Sequence, residues 1–251
     1  MVHFPILRTR RFTLTLRELT IGQSISLASL PSHLEQAEVT QFLKFVVEDV
    51  DGVDKNPAAW TVQERTLALC HYLAATSSDG PDFSVGEGKF SDYFDGTKDH
   101  GESRVDIGDV GGDKWFVTDL TGRDAETIER LDGELEGITG RIHWILGAMA
   151  AQLRREGEDK NESMTDGDYE KFVLDRMKVF SSFPESDFMS LMALFFTGLD
   201  RLMHFFDIDF SDSGIVFLPT EAAEVKNLPP ARFPVGACIS QGAFRLVGKS
   251  F

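Results

Sequence analysis

A chain of 251 residues, 42% hydrophobic and 26% charged, is long enough to bury a sizeable core and has the balance of a folded rather than a disordered protein. A net charge of −16 repels phosphate backbones and anionic membrane surfaces, so direct nucleic-acid binding is not expected, and the acidity reads first as solubility. Two cysteines, Cys70 and Cys238, rule out a disulfide framework, and without an apolar leader the expected place of synthesis and folding is a cytoplasm.

From Arg11 to Arg17 apolar and polar residues alternate, which puts Phe12, Leu14 and Leu16 on one face of a strand. Such a strand pairs within its own fold or lends an edge to another subunit, and internal pairing is the favoured reading. Thr20 caps a short helix through Leu30; after Pro31, Ser32 with Glu35 forms a capping-box pattern that opens a helix to about Val47. A loop is expected from Asp49 to Pro57. Thr61 with Glu64 then begins a second capped helix, carried by Leu67, Leu69, Cys70 and Leu73 toward Ala75. Between Thr76 and Arg123 the chain is rich in Gly, Asp and Ser, with short strands expected at Val105 to Ile107 and Trp115 to Val117 around Gly111 and Gly112.

Helical spacing returns from Asp124 to Arg155, where Ile128, Leu131, Leu135, Ile138, Ile142, Ile145 and Met149 recur every three or four residues as a heptad seam. Gly133, Gly137, Gly140 and Gly147 each weaken an isolated helix by ~1 kcal/mol relative to Ala, so neighbours must hold this one. A polar linker is expected from Glu156 to Asp168, then helices over Tyr169 to Phe180 and Ser186 to Phe206, broken at Pro184. Apolar residues wrap most of the second helix, which marks a central core helix or one covered by a partner. The greasiest stretch, Phe188 to Leu199, is too short to span a bilayer. Gly214 to Leu218 and Ala237 to Ile239 close the chain as short strands between prolines. The expected fold is mainly α with small β elements (α+β): a helical core with an N-terminal strand, a Gly-rich hairpin insertion and a short C-terminal sheet. Its segments are 1–76 (strand and helix pair), 77–122 (loop and hairpin insertion) and 123–251 (helices with terminal strands).

Few residues offer chemistry. The six histidines, His3, His33, His71, His100, His143 and His204, share no metal-ligand spacing and read as structural. Asp49, Asp51, Gly52 and Asp54 miss the calcium-loop register and read as a solvated turn, while Gly86, Gly88 and Lys89 lack the Ser or Thr that a phosphate loop requires. No Gly-x-Ser-x-Gly elbow occurs, and Cys70 and His71 point to different faces of a helix. No catalytic residue, cofactor or metal is therefore expected. The 21 phenylalanines bring apolar area with no polar group to satisfy, which favours helix packing or subunit interfaces. Candidate partner-binding residues are Phe12, Leu14, Leu16, Leu131, Leu135, Ile138, Ile142, Ile145, Phe195 and Phe196.

The strand of Phe12, Leu14 and Leu16, then Leu19-Thr20-Ile21-Gly22 opening a short helix, then Trp60-Thr61-Val62-Gln63-Glu64-Arg65 leading a helix that ends near His71-Tyr72-Leu73-Ala74, form a recognisable series. In this series the chain resembles the baseplate hub and tail-assembly proteins of contractile-tailed bacteriophages, the group similar to the phage T4 baseplate hub assembly proteins. The resemblance covers the first third of the chain and, more loosely, the helices beyond. It implies a non-catalytic component of a phage tail or baseplate that binds other tail subunits, made in the bacterial cytoplasm and placed in the virion if incorporated. The alternatives are a transient assembly chaperone absent from the mature virion and, in another class, a carboxylate-dependent hydrolase.

Overall fold

In the computed structural model, which describes residues 2–99, 102–158 and 163–249, the N-terminal alternation becomes a strand flanked on both sides. Strand β1 (Leu7–Arg8) and strand β2 (Thr13–Leu16) pair antiparallel, Leu7 opposite Leu14. Helix α1 (Ile21–Ala28) follows, with a capping box in which Thr20 and Gln23 satisfy one another's backbone amides. Helix α2 (Glu35–Val46) starts at Glu35 itself, with Leu34 as N-cap; the capping box expected from Ser32 is not formed. Strand β3 (Val47–Asp51) then extends directly from the helix and pairs with β2, Leu14 opposite Val50. The loop expected from Asp49 is therefore in part a strand: Val50 is its buried residue among exposed acids, a single apolar position that gives no alternation to read. β2 is the centre of this three-stranded sheet, and Phe12, Leu14 and Leu16 all face the core.

Helix α3 (Val62–Thr76) keeps the predicted capping box of Thr61 and Glu64 and is buried on nearly every side, its polar residues Gln63, Glu64, Arg65 and Thr66 included. A tight hairpin of β4 (Ser84–Val85) and β5 (Gly88–Lys89) encloses Gly86 and Glu87. Beyond it Phe83, Phe90, Phe94, Phe205, Phe206, Phe217 and Phe233 form a continuous set of ring contacts with centroids 5.0–6.5 Å apart. Phenylalanine thus builds the core where regular structure is sparse, since its rings fill space without hydrogen bonds to satisfy.

The hairpin of β6 (Arg104–Val110) and β7 (Asp113–Thr118) turns at Gly111 and Gly112, whose φ values of 64° and 87° are those that a two-residue turn needs to match strand twist. Helix α4 (Gly122–Arg130) is capped by Thr121 and Asp124. The predicted heptad helix ends there. Gly133 and Gly137 take φ of 86° and 76°, which no α-helix accommodates, and helix α5 resumes only at Gly140–Gln152. The last residues expected in that helix instead form strand β8 (Leu153–Arg155), which adds to the edge of β7.

Helices α6 (Asp166–Ser181) and α7 (Glu185–Leu202) flank Pro184 as expected, but α7 stops at Leu202 rather than Phe206, and Phe205 takes a φ of 61° that leaves the helix. α7 buries one face, Leu191, Phe195, Gly198, Leu199 and Leu202, and leaves Met189 51% exposed, so it is not wrapped on all sides; α3 is the more enclosed helix. A Cβ on Gly198 would stand 2.5 Å from both Ile107 and Val117, which measures how closely α7 approaches the β6–β7 hairpin. Strands β9 (Ile208–Ser211) and β10 (Gly214–Phe217) form a hairpin. The strand expected at Ala237 to Ile239 is instead a 3-10 turn over Val235–Cys238, and a short helix α8 (Gln241–Leu246) packs on α1.

The described residues thus hold eight α-helices and small antiparallel sheets of two or three strands, an α+β fold with a helical core. By contact the chain divides into two compact units: one of residues 1–101, 204–207 and 217–251, the other of 102–203 and 208–216. This grouping follows proximity, whereas the segments 1–76, 77–122 and 123–251 follow chain order. His100 and residues 159–162 of the expected linker lie outside the described residues.

Candidate functional site

The ten residues singled out for partner binding separate into two sets. Phe12, Leu14 and Leu16 in the first unit, and Leu131, Ile145 and Phe195 in the second, are buried within their own units. Leu135, Ile138 and Phe196 are half-buried, and Ile142 is 40% exposed. The seam that the spacing suggested is therefore split by the glycine break: its two ends join the core, and its middle, Leu135 to Ile142, lies at the surface.

That middle is held in place. The Leu135 carbonyl accepts from the Ile138 amide at 3.1 Å, closing a turn. At the start of α5, Thr139 forms no side-chain cap, and the Asp212 carboxylate of the β9–β10 hairpin accepts from the Arg141 amide at 3.1 Å instead. Arg141 also donates Nε to the Phe210 carbonyl at 2.8 Å and pairs with Asp209 at 3.0 Å. One arginine and one borrowed cap thus anchor the helix end that displays Ile142. Asp212 lies 71 residues beyond Arg141 in the chain, so no local pattern could have revealed it.

Polar groups elsewhere are mostly absorbed by structure. In the first unit the Glu64 carboxylate is fully buried, pairs with Arg11 at 3.2 Å and accepts from the Thr61 amide at 3.0 Å. Thr61 Oγ1 accepts from the Glu64 amide, which makes it the cap of α3, and meets His204 Nε2 at 2.9 Å. Arg65 reaches the Gln36 carbonyl and Thr40 from inside the core. His71 bonds the Pro5 carbonyl and His143 the Ile128 carbonyl, each at 2.7 Å. Burial pushes the thiols of Cys70 and Cys238 well up from their ordinary value. Among the described residues no group of three or more His, Cys, Asp or Glu is placed to hold a metal ion, and no helix is long and apolar enough to cross a membrane.

The second unit holds a denser polar centre that the sequence reading missed. Asp124 is buried, accepts from the Thr121 amide and hydroxyl at 2.8 Å each, and accepts from the Tyr169 hydroxyl. Burial raises the Asp124 pKa against the pull of these donors, and burial and Asp124 together push the Tyr169 phenol up. Arg123 lies over the Tyr169 ring at 4.5 Å, and Arg154 and Arg176 lie over Phe172. The capping pattern Thr121-x-x-Asp124 was the available signal and contains Arg123; Arg154 and Arg176 come from two other places in the chain. No family model, curated protein or solved structure matches this chain.

Proposed function

We propose that this chain is a non-catalytic structural subunit of a bacteriophage tail or baseplate that works by binding other tail subunits. The observation that carries the reading is the anchored apolar row of Leu135, Ile138 and Ile142. Apolar side chains held at a surface by a salt bridge and a borrowed cap suit a permanent partner better than water. The resemblance in residues 12–16, 19–22, 60–65 and 71–74 supplies the assembly. In this reading the chain is made in the host cytoplasm and carried into the virion.

The test is quantitative mass spectrometry of intact particles of the virus that encodes the chain. Presence in stoichiometric amounts beside tail proteins is expected; abundance in infected cells with absence from particles would replace the reading with a transient assembly chaperone. Ile142→Asp locates the contact. It should leave the circular dichroism and melting temperature of the isolated chain unchanged while cutting incorporation at least tenfold, whereas Leu135→Asp, half-buried, should also lower the melting temperature. Normal incorporation of a folded Ile142→Asp chain would remove this row as the partner surface.

A further inference from the structure

Helix α7 buries Leu191, Phe195, Gly198, Leu199 and Leu202, and the close fit of Gly198 against Ile107 and Val117 fixes that side on the β6–β7 hairpin. Round the helix from it a second apolar row runs along the surface. Met189, Met192 and Phe196 follow one another at spacings of three and four residues, which aligns them on one face. Met189 is 51% exposed, and Met192 and Phe196 are half-buried. Glu185 stands one turn before Met189 and Asp200 one turn after Phe196, both exposed, so the row has a carboxylate at each end.

Helix stability accounts for only one of these acids. Glu185 lies in the first turn, where the helix dipole favours a negative charge, but Asp200 lies in the last turn, where it does not. Among the described residues no Lys, Arg or His nitrogen comes within 4.0 Å of either carboxylate, and Arg201, next to Asp200, donates instead to the Asp106 carbonyl at 3.1 Å. The rise per residue of an α-helix sets the two acids about 22 Å apart. A second copy of this chain is a poor cover for such a row. Its own α7 laid antiparallel would bring Asp200 against Glu185 at both ends, and laid parallel would bring each acid against its like; a net charge of −16 on each copy adds to the repulsion.

We propose that this face of α7 docks an amphipathic helix of another protein, one with an apolar row at its centre and a lysine or arginine at each end. Anchors at i, i+3 and i+7 suit helix-on-helix contact, and methionine adapts its shape to the side chains it meets. Cations about 15 residues apart on the partner helix complement Glu185 and Asp200. The hairpin holds α7 from behind, so the face is in place before the partner arrives and little ordering opposes binding. These residues are distinct from the Leu135–Ile142 row, and the inference stands independently of the tail-subunit reading.

The experiment is an NMR titration of the full chain, isotope-labelled at its methionine methyl groups, with a synthetic helical peptide of about 18 residues that carries leucine along one face and lysine at each end. The Met189 and Met192 methyl resonances, assigned with Met189→Leu and Met192→Leu, should shift saturably. Glu185→Gln combined with Asp200→Asn changes two exposed side chains; it should leave the melting temperature unchanged and weaken the peptide about fivefold. A peptide with glutamate in place of the lysines should bind at least tenfold more weakly, and one with the same lysines but its leucines dispersed round the helix should leave both methyl groups unmoved. The proposal is overturned if neither methyl resonance moves, if either control peptide binds as well as the first, or if the folded double variant binds it as tightly as wild type. Sedimentation velocity tests the other occupant: dimerisation of the chain that Met189→Asp abolishes would give the face to a second copy and overturn the proposal too.

Discussion

Glu38 lies on α2 with Glu35, and burial first, then the neighbouring Glu35 charge, pushes its pKa up to about 7 against the opposing pull of Lys249. Glu35 is raised as well, by burial, although Arg232 pairs with it. A carboxyl whose folded pKa is raised adds stability that is fully present below its unfolded value of 4.5 and is lost as pH climbs to about 7. Glu38→Gln should therefore be more stable than wild type at pH 8, by ~1 kcal/mol after discounting for solvent exposure, and indistinguishable from it near pH 4. Melting both proteins across pH 4–8 checks this, and a gap that persisted at pH 4 would assign the effect to packing. The same balance of burial and partners explains why buried polar residues were hard to read in advance. Thr61 and Glu64 were legible because a capping box is local, three residues apart, whereas the contacts of Glu64 with Arg11 and of Thr61 with His204 close over long stretches of chain.

Helix positions followed from local signals more faithfully than strand positions. α1 and α3 begin where their caps placed them, and α7 begins after Pro184 as expected, because each start depends on interactions within a turn or two, while α6 opens three residues early and α7 ends four residues short of Phe206. The continuous helix from Asp124 to Arg155 failed on glycine. Helical propensity counts a glycine as a modest loss, but at Gly133 and Gly137 the chain uses the positive φ that glycine alone takes readily, and one helix becomes two with a strand after them. Glycine also acts by size at the α7–hairpin contact, where Gly198→Ala would press a methyl against Ile107 and Val117. This change should lower stability by about 1–3 kcal/mol, measured by denaturant unfolding, without altering helix content. A neutral outcome would mean that α7 shifts outward freely.

At the scale of the whole chain, enclosure rather than length decides which element is central. α3, buried on nearly all sides in its unit, should hold the slowest-exchanging amides there in hydrogen–deuterium exchange, from Leu67 to Tyr72, while the surface segment 132–139 should exchange among the fastest. Protection of 132–139 equal to that of α5 would contradict the break between the helices. The sequence by itself determined the α+β class, the starts of α1, α3 and α7 and the N-terminal and Gly-Gly strands, since caps, prolines, alternation and turn glycines act over a few residues. Only the tertiary structure decided which apolar residues face the core and which remain at the surface, the pairing of β3 and β8, the assembly of the phenylalanine core, and the meeting of Arg154 with Arg176. Those outcomes depend on contacts between residues far apart in the chain, and apolar spacing is the same whether a side chain is covered by its own fold or left for a partner.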